Sequence, residues 1–271
     1  MTQRLDQELV SRGIFASRAK AQEAIAQGAI TVNGKPATKP SMKVSADDEI
    51  SLEGATLAYV SRAGLKLEHA LDAFGIDMSG RILLDIGSST GGFTECALQR
   101  GALRSFAVDV GRDQLAPALR ADPRVTAMEG LDFRELDPQA VQDADIASID
   151  VSFISVTKLA GRFTLLPRVS DIICLVKPQF ECGKSIARRT KGVPLDIAVH
   201  AQAITAVADS LAEAGFSFQN LCASPIRGQS GNIEYLAHFE RTGIRQAANA
   251  PSPNVDGVVR ATFERFGIPG R

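Results

Sequence analysis

The chain has 271 residues, 45% hydrophobic and 23% charged, with 30 Lys and Arg against 31 Asp and Glu; this excludes a disordered polymer and supplies core material for one large or two modest domains. No run reaches the roughly 18 consecutive apolar residues of a spanning helix, and the opening MTQRLDQELV lacks the charged-then-apolar order of a secretory leader, so no membrane role and a cytoplasmic location are expected. A net charge of −1 confines any nucleic-acid footprint to a local patch.

Leu5, Leu9 and Val10 recur at helical spacing and stop at Gly13, while Ser17 is a natural N-cap for a second helix carrying Ala21, Ala24 and Ile25 and closing at Gly28. Ile30 and Val32 lead into Asn33-Gly34, both of which accept the positive φ of a type I′ hairpin turn. From Met1 to Val44 seven basic residues stand against three acidic ones, and Asp47, Asp48, Glu49 and Glu53 then cancel the excess. Pattern alone leaves a structural cap or a dimerisation element open.

The wording RLDQELVSRGIFASRAKAQEAIAQGAITVNGKPATKPS resembles the S-four-type RNA-binding domain, and the resemblance covers residues 1–56. It implies that Arg4, Arg12, Arg18, Lys20 and Lys35 face phosphates of folded RNA, in keeping with cations positioning a protein on the backbone. Taken singly, each is also compatible with a solvated surface charge. Residues 57–63, short and uncharged before Arg62, read as a linker.

From Gly80 strand and helix alternate. Strands are expected over Ile82–Ile86, Phe106–Val110, Ile146–Val151 and Ile172–Val176, with helices near Phe93–Arg100 and Leu195–Ala214. This is an α/β pattern, a Rossmann-like, doubly wound parallel sheet over residues 64–245. Phe216–Ala223 and Ile233–Phe239, separated by the turn-rich Ser224–Gly231, predict an antiparallel closing edge. In the tail, residues 246–271, Val255, Val258, Val259, Phe263 and Phe266 predict a helix packing on the larger domain.

The run RILLDIGSSTGGFTECAL places an acid and a small-residue turn between a buried strand and a helix, where open parallel sheets bind ligands. Geometry alone is compatible with a dinucleotide, but the G-x-G-x-x-G fingerprint is absent. The D-x-G-x-x-x-G-G-F form resembles the first motif of S-adenosylmethionine (SAM) enzymes, which implies that Asp85, Gly87, Ser88, Ser89, Thr90, Gly91, Gly92 and Phe93 surround that cofactor. Asp109, beside Val110 at the next strand end, is placed to accept from ribose hydroxyls, and Asp132 after the third strand to read the adenine amine. A helix N-cap or surface acid is the alternative for either.

Lys66, Asp150, Lys177 and Glu234 occupy positions that an apolar core would not choose. Asp150 and Lys177 terminate apolar runs at the same sheet edge as Asp85, Glu234 is expected just inside a late strand, and Lys66 on an amphipathic helix. Buried ion pairs that merely stiffen the sheet are the alternative. The tetrad resembles that of FtsJ-type RNA ribose methyltransferases, and the chain end to end resembles the TlyA family, often labelled hemolysin A, through DIGSSTGGFTE, VDVG, DVSFIS, LVKPQFE and SGNIEY. The resemblance implies SAM-dependent methylation of a ribose 2′-hydroxyl in ribosomal RNA or ribosomal subunits, usually at cytidine. A non-catalytic assembly factor and a membrane-lytic protein are the competing readings.

Such chemistry needs a base for a weakly acidic hydroxyl. Free lysine, at a pKa of about 10.4, is protonated near neutrality; burial and a neighbouring cation would lower that value, so Lys177 is expected as general base. Lys66 is the neighbouring cation, and Asp150 and Glu234 hold the ammonium groups. No metal is required. Asp150 lacks the following Pro-Pro-aromatic of adenine amine methylation, and none of Cys96, Cys174, Cys182 and Cys222 adjoins the proline of ring-carbon methylation. Their wide separation reads as reduced thiols, and the histidines show no ligand-like spacing. Lys184, Arg188 and Arg189 form a basic lip beside the crevice, either an RNA clamp or a solvated loop.

Overall fold

The computed structural model describes residues 2–15, 18–26, 29–45, 47–52, 59–228, 231–243 and 252–269. Ser17, Gly28 and the side chain of Lys20, singled out in the sequence, lie outside the described residues. The chain divides into two compact units, Met1–Ala58 and Tyr59–Arg271.

The first unit holds β1 (Thr2–Arg4), α1 (Leu5–Ser11), α2 (Arg18–Ala26), β2 (Ile30–Val32), β3 (Lys35–Pro36), β4 (Lys43–Ser45) and β5 (Ile50–Leu52). Strand β2 pairs antiparallel with β3 and β5, and Asn33 and Gly34 take φ of 51° and 71°, as the expected turn demands. Leu5, Leu9, Ala21, Ile25, Ile30 and Val32 form its core. Asp6, fully buried, accepts from Arg4, Arg18 and Gln22, and the Arg4 guanidinium above all holds its carboxyl well below the usual carboxylate range. A depressed folded value gives stability that is present above the unfolded carboxylate pKa of about 3.9 and lost as pH falls through the folded one. Asp6→Asn is therefore expected to loosen this unit at neutral pH, read by hydrogen exchange as faster exchange over residues 5–32; wild-type rates there would contradict this account.

The second unit runs α3 (Ala63–Phe74), β6 (Ile82–Ile86), α4 (Gly92–Gln99), β7 (Arg104–Asp109), α5 (Pro117–Ala121), β8 (Val125–Glu129), β9 (Ile146–Ile149), α6 (Thr157–Ala160), β10 (Asp171–Val176), α7 (Pro178–Glu181), α8 (Gly183–Arg189), α9 (Ile197–Glu213), β11 (Phe216–Ala223), β12 (Tyr235–Arg241) and α10 (Val255–Arg265). Its sheet has the order β11-β12-β10-β9-β6-β7-β8. Neighbours from β10 through β8 are parallel, and β12 is antiparallel to both β10 and β11. The chain leaves β6 toward β7 and β8, then crosses back to β9 and β10. The order therefore reverses between β6 and β9, where a crevice opens at the carboxyl ends.

Both faces are covered, which is why the central strands read as continuous apolar runs. Ile204, Val207 and Leu211 of α9 and Val259 and Phe263 of α10 pack with Leu84, Ile172 and Cys174, so the tail helix joins this core as its apolar spacing predicts. Leu67 and Leu71 of α3 pack with Phe93 and Ala97 of α4 against Leu83 and Ile173. Tyr59, placed by sequence within a linker, is 4% exposed and part of this second cluster. Its hydroxyl donates to Glu68; an uncharged stretch proves to be packing material.

At the opposite, amino edge, Arg81 ties Asp145 to Asp171, and His238 Nε2 lies 3.0 Å from Asp171 Oδ1. Glu240 joins this group, with the ligand-type atoms of Asp171, His238 and Glu240 within 4.8 Å of one another. Sequence spacing gave no sign of that approach, since it arises from the register of β10 on β12.

Candidate active site

Strand β6 ends beneath a loop in which Gly87, Ser89 and Gly91 take φ of 86°, 47° and 96°. At Gly87 a Cβ would stand 2.3 Å from the Asp150 carbonyl oxygen, so this glycine lets the loop close onto the end of β9. Gly87→Ala combines that clash with a left-handed φ that costs an L-residue about 1–2 kcal/mol by itself. We expect at least a tenfold loss of SAM affinity by calorimetry; unchanged affinity would show that the loop does not shape the cofactor site. At Gly92 the tight neighbours are Ser61 and Gly64, so its small size serves packing against the start of α3.

Asp85 does not face the crevice. It is fully buried and accepts from Thr94 N and Oγ1 at 3.1 and 2.7 Å and from Ser148 Oγ at 2.8 Å; burial pushes its carboxyl up to about 6. It anchors the loop from below by joining β6, α4 and β9. Phe93, expected at the cofactor, is 2% exposed on the inward face of α4, because helical periodicity turns it into the core. Asp109 closes β7, accepting from Ser89 N at 2.8 Å and Gly111 N at 2.7 Å, and Val110 beyond it is 69% exposed. Each carboxylate oxygen of Asp109 retains acceptor capacity. Asp132 takes the alternative role: it caps the turn Phe133–Glu135 through Arg134 N and pairs with the Arg134 guanidinium at 2.6 Å, which lowers its carboxyl below the usual range.

A sulfonium amino acid nucleoside needs polar groups facing a glycine-rich turn and an acid for ribose. Ser88 fits the first demand: it is 4% exposed and its Oγ has no hydrogen-bond partner among the described residues, an arrangement that costs free energy unless a ligand completes it. Asp109 fits the second.

Lys177, just past β10, lies with its Nζ 2.6 Å from Asp150 Oδ1 and 3.1 Å from Ser152 Oγ. Lys66, on α3, lies 2.6 Å from Glu234 Oε2. Lys177, Lys66 and Glu234 are 8%, 9% and 4% exposed and the Asp150 side chain 15%, so the Lys66–Glu234 pair is buried and the Lys177–Asp150 pair half-buried at its carboxylate. Gln179 Nε2, 3.5 Å from Glu234 Oε1, stands two residues after Lys177. Glu234 precedes β12 rather than lying inside it; its carbonyl accepts from Ser224 N, which closes the turn one residue before the strand starts. Each ammonium meets a carboxylate, Lys177 at Asp150 and Lys66 at Glu234.

A glycine turn at the strand-order reversal and two amine–carboxylate pairs at the same sheet edge are joined by a family match: the FtsJ-like methyltransferase model covers residues 59–241. The chain belongs to the FtsJ-like methyltransferase family. The S4 domain model matches residues 3–50 of this methyltransferase. It is 45% identical to a Bacillus subtilis protein named as an rRNA methyltransferase, over 90% of this chain and 88% of the relative. It is 42% identical to the Mycobacterium tuberculosis 16S/23S rRNA (cytidine-2′-O)-methyltransferase TlyA, over 96% and 97%. A solved structure titled as a hemolysin from Streptococcus thermophilus superposes with a TM-score of 0.75 at 36% identity, covering 98% of this chain and 97% of that one.

Around the crevice of the methyltransferase, one residue escaped the sequence reading. Phe153 is 93% exposed with φ of 65°, an uncommon backbone for a bulky residue, and its ring lies 5.2 Å from that of Phe180. The motif DVSFIS contains it, but nothing in one sequence distinguishes an exposed phenylalanine from a core one. Lys184, Arg188 and Arg189 are exposed on α8, a short helix where a loop was expected. Cys182 lies between α7 and α8, and burial pushes its thiol up, away from nucleophile chemistry. His200 bonds Tyr235 and Pro194, a core role.

In the N-terminal unit the predicted cations differ from one another. Arg4 and Arg18 both pair with Asp6. Arg12 pairs with Glu8 and donates to the carbonyls of Asp48 and Ser45, so its charge is engaged in closing the unit. Lys35 is exposed on the hairpin. Among the described residues, no helix is long and apolar enough to cross a membrane.

Proposed function

We propose that this methyltransferase moves the methyl group of SAM to the ribose 2′-hydroxyl of a cytidine in ribosomal RNA, within a ribosomal subunit. The observation that carries the reading is the Lys177–Asp150 pair, Nζ to Oδ1 2.6 Å, at the carboxyl edge against which Gly87 packs. Bound SAM supplies an electrophilic methyl group on a positively charged sulfur. Ser88 and Asp109, with the turn from Gly87 to Gly91, would hold it.

Lys177 Nζ, as the free amine, accepts the 2′-hydroxyl proton while the oxygen attacks in line, and Asp150 holds the ammonium that results. Lys66, fixed by Glu234, supplies positive charge for the developing oxyanion. Holding both reactants at near-attack distance supplies much of the acceleration. Residues 1–56 act as the RNA-binding module, with Lys35 and the outward portions of Arg4 and Arg18 on phosphates, and residues 64–245 as the catalytic domain. Lys184, Arg188 and Arg189 extend the phosphate surface of that domain, and the exposed Phe153 ring offers a face on which an unpaired base can stack.

The reading is tested by incubating purified protein and labelled SAM with ribosomal subunits that lack the modification, and mapping the label by resistance to ribose-specific cleavage. Incorporation at one cytidine ribose is expected. No incorporation would favour a non-catalytic assembly factor, and leakage from protein-free-loaded liposomes would favour a lytic protein.

A further inference from the structure

Glu181 belongs to none of the roles above, yet a half-buried carboxylate is costly to keep without a task. It closes α7 and reaches across to the segment that follows β9, accepting from Ser155 Oγ at 2.5 Å and from Val156 N at 2.9 Å. The Ser155 hydrogen goes to the Glu181 carboxylate, so Thr157 Oγ1, 2.6 Å from the same hydroxyl, donates to it. Burial pushes the Glu181 carboxyl up, against the effect of its two donors.

The segment it grips carries the partners of the proposed base. Residues 150–155 have no regular secondary structure, and Phe153 holds a left-handed φ of 65° that costs of order 1–3 kcal/mol and persists only where surroundings impose it. Three side chains from the N-cap and single turn of α7 face it. Lys177 caps the helix with an extended backbone, and Phe180 and Glu181 follow within the turn Pro178–Glu181. They meet the segment in register: Lys177 at Asp150 and Ser152, Phe180 at Phe153, Glu181 at Ser155 and Val156. Without the last contact, the far end of the segment is untied while its near end still carries Ser152 onto Lys177 Nζ.

We infer that Glu181 is a positioning residue for methyl transfer, locking the Asp150–Val156 segment onto α7 so that Asp150 and Ser152 keep Lys177 Nζ in its reacting place. This rests on the function proposed above. The chain has no tryptophan, so Phe153→Trp installs a unique fluorescent reporter in the segment. In that background Glu181→Ala is expected to lower the anisotropy and raise acrylamide quenching of the reporter. In the otherwise native chain, Glu181→Ala should lower kcat about tenfold or more, as loss of alignment does, with SAM affinity and melting temperature near those of the wild type. Glu181→Gln retains an acceptor oxygen for Val156 N and should recover part of both readouts.

An unchanged kcat in Glu181→Ala would overturn the inference. So would a kcat loss with an unaltered reporter, or one matched by a general fall in melting temperature that Glu181→Gln does not relieve. If the wild type itself transfers no methyl group, the functional reading fails, and the reporter alone decides whether Glu181 holds the segment.

Discussion

Replacing Lys177 by methionine, which keeps the length of the side chain and removes the amine, is expected to lower rRNA methylation by about 10²–10⁴-fold, the range that a positioned general base supplies. SAM affinity should stay near wild type, because the loop groups Ser88 and Asp109 make no contact through Lys177. Lys177→Arg should fail as well, since a guanidinium stays protonated and cannot accept the hydroxyl proton. The check is kcat with labelled SAM on ribosomal subunits alongside calorimetric SAM binding. Retention of most of the wild-type kcat by Lys177→Met would place the base elsewhere.

The Lys66–Glu234 pair offers a sharper separation between stability and chemistry. The side chains are 11% and 4% exposed at 2.6 Å, so Glu234→Ala leaves a buried ammonium uncompensated and should cost about 3–5 kcal/mol of folding stability. Replacing both partners together, Lys66→Met with Glu234→Leu, removes both charges and should return most of that loss, since apolar replacements of buried pairs are often neutral or better. Methyl transfer should not return with it. Denaturant unfolding gives the first quantity and labelled-methyl kinetics the second. If the double variant regains both stability and activity, the pair is a structural staple of α3 on the segment before β12 and plays no part in the reaction.

Much of this arrangement was legible in the sequence because it depends on local rules. Apolar runs ending at Asp150 and Lys177 marked strand ends, and the glycine turn after Ile86 marked the reversal in strand order, where a parallel sheet binds ligands. The Asn33-Gly34 turn needed only the φ tolerance of its residues. The reading failed where partners lie far apart in the chain. Asp85 looked like an edge acid, but Thr94 and Ser148, nine and 63 residues away, draw it into the interior. The carbonyls of Ser45 and Asp48, more than 30 residues from Arg12, likewise gave no sign in the sequence of engaging it.

Strand limits shifted for similar reasons. The strand expected over Ile146–Val151 stops at Ile149; Asp150 N makes the last rung to Ile86 O at 2.9 Å, and its carboxylate meets Lys177. Glu234 falls before β12 because the turn closed by Ser224 N runs through it. The pairing of each amine with a carboxylate depends on how α3 and α7 pack on the sheet, which no spacing in the sequence encodes. Phe153 holds a left-handed φ beside the Phe180 ring, and a single sequence carries no signal for it.

The most direct measurement is a structure of the full chain with S-adenosylhomocysteine and an RNA fragment containing the target cytidine. The account predicts the ribose 2′-oxygen about 3 Å from Lys177 Nζ, within hydrogen-bond reach of the proposed base, with the cofactor sulfur above the Gly87 turn on the far side of that oxygen. A ribose seated away from Lys177, or a base atom rather than the 2′-oxygen aligned with the sulfur, would contradict it.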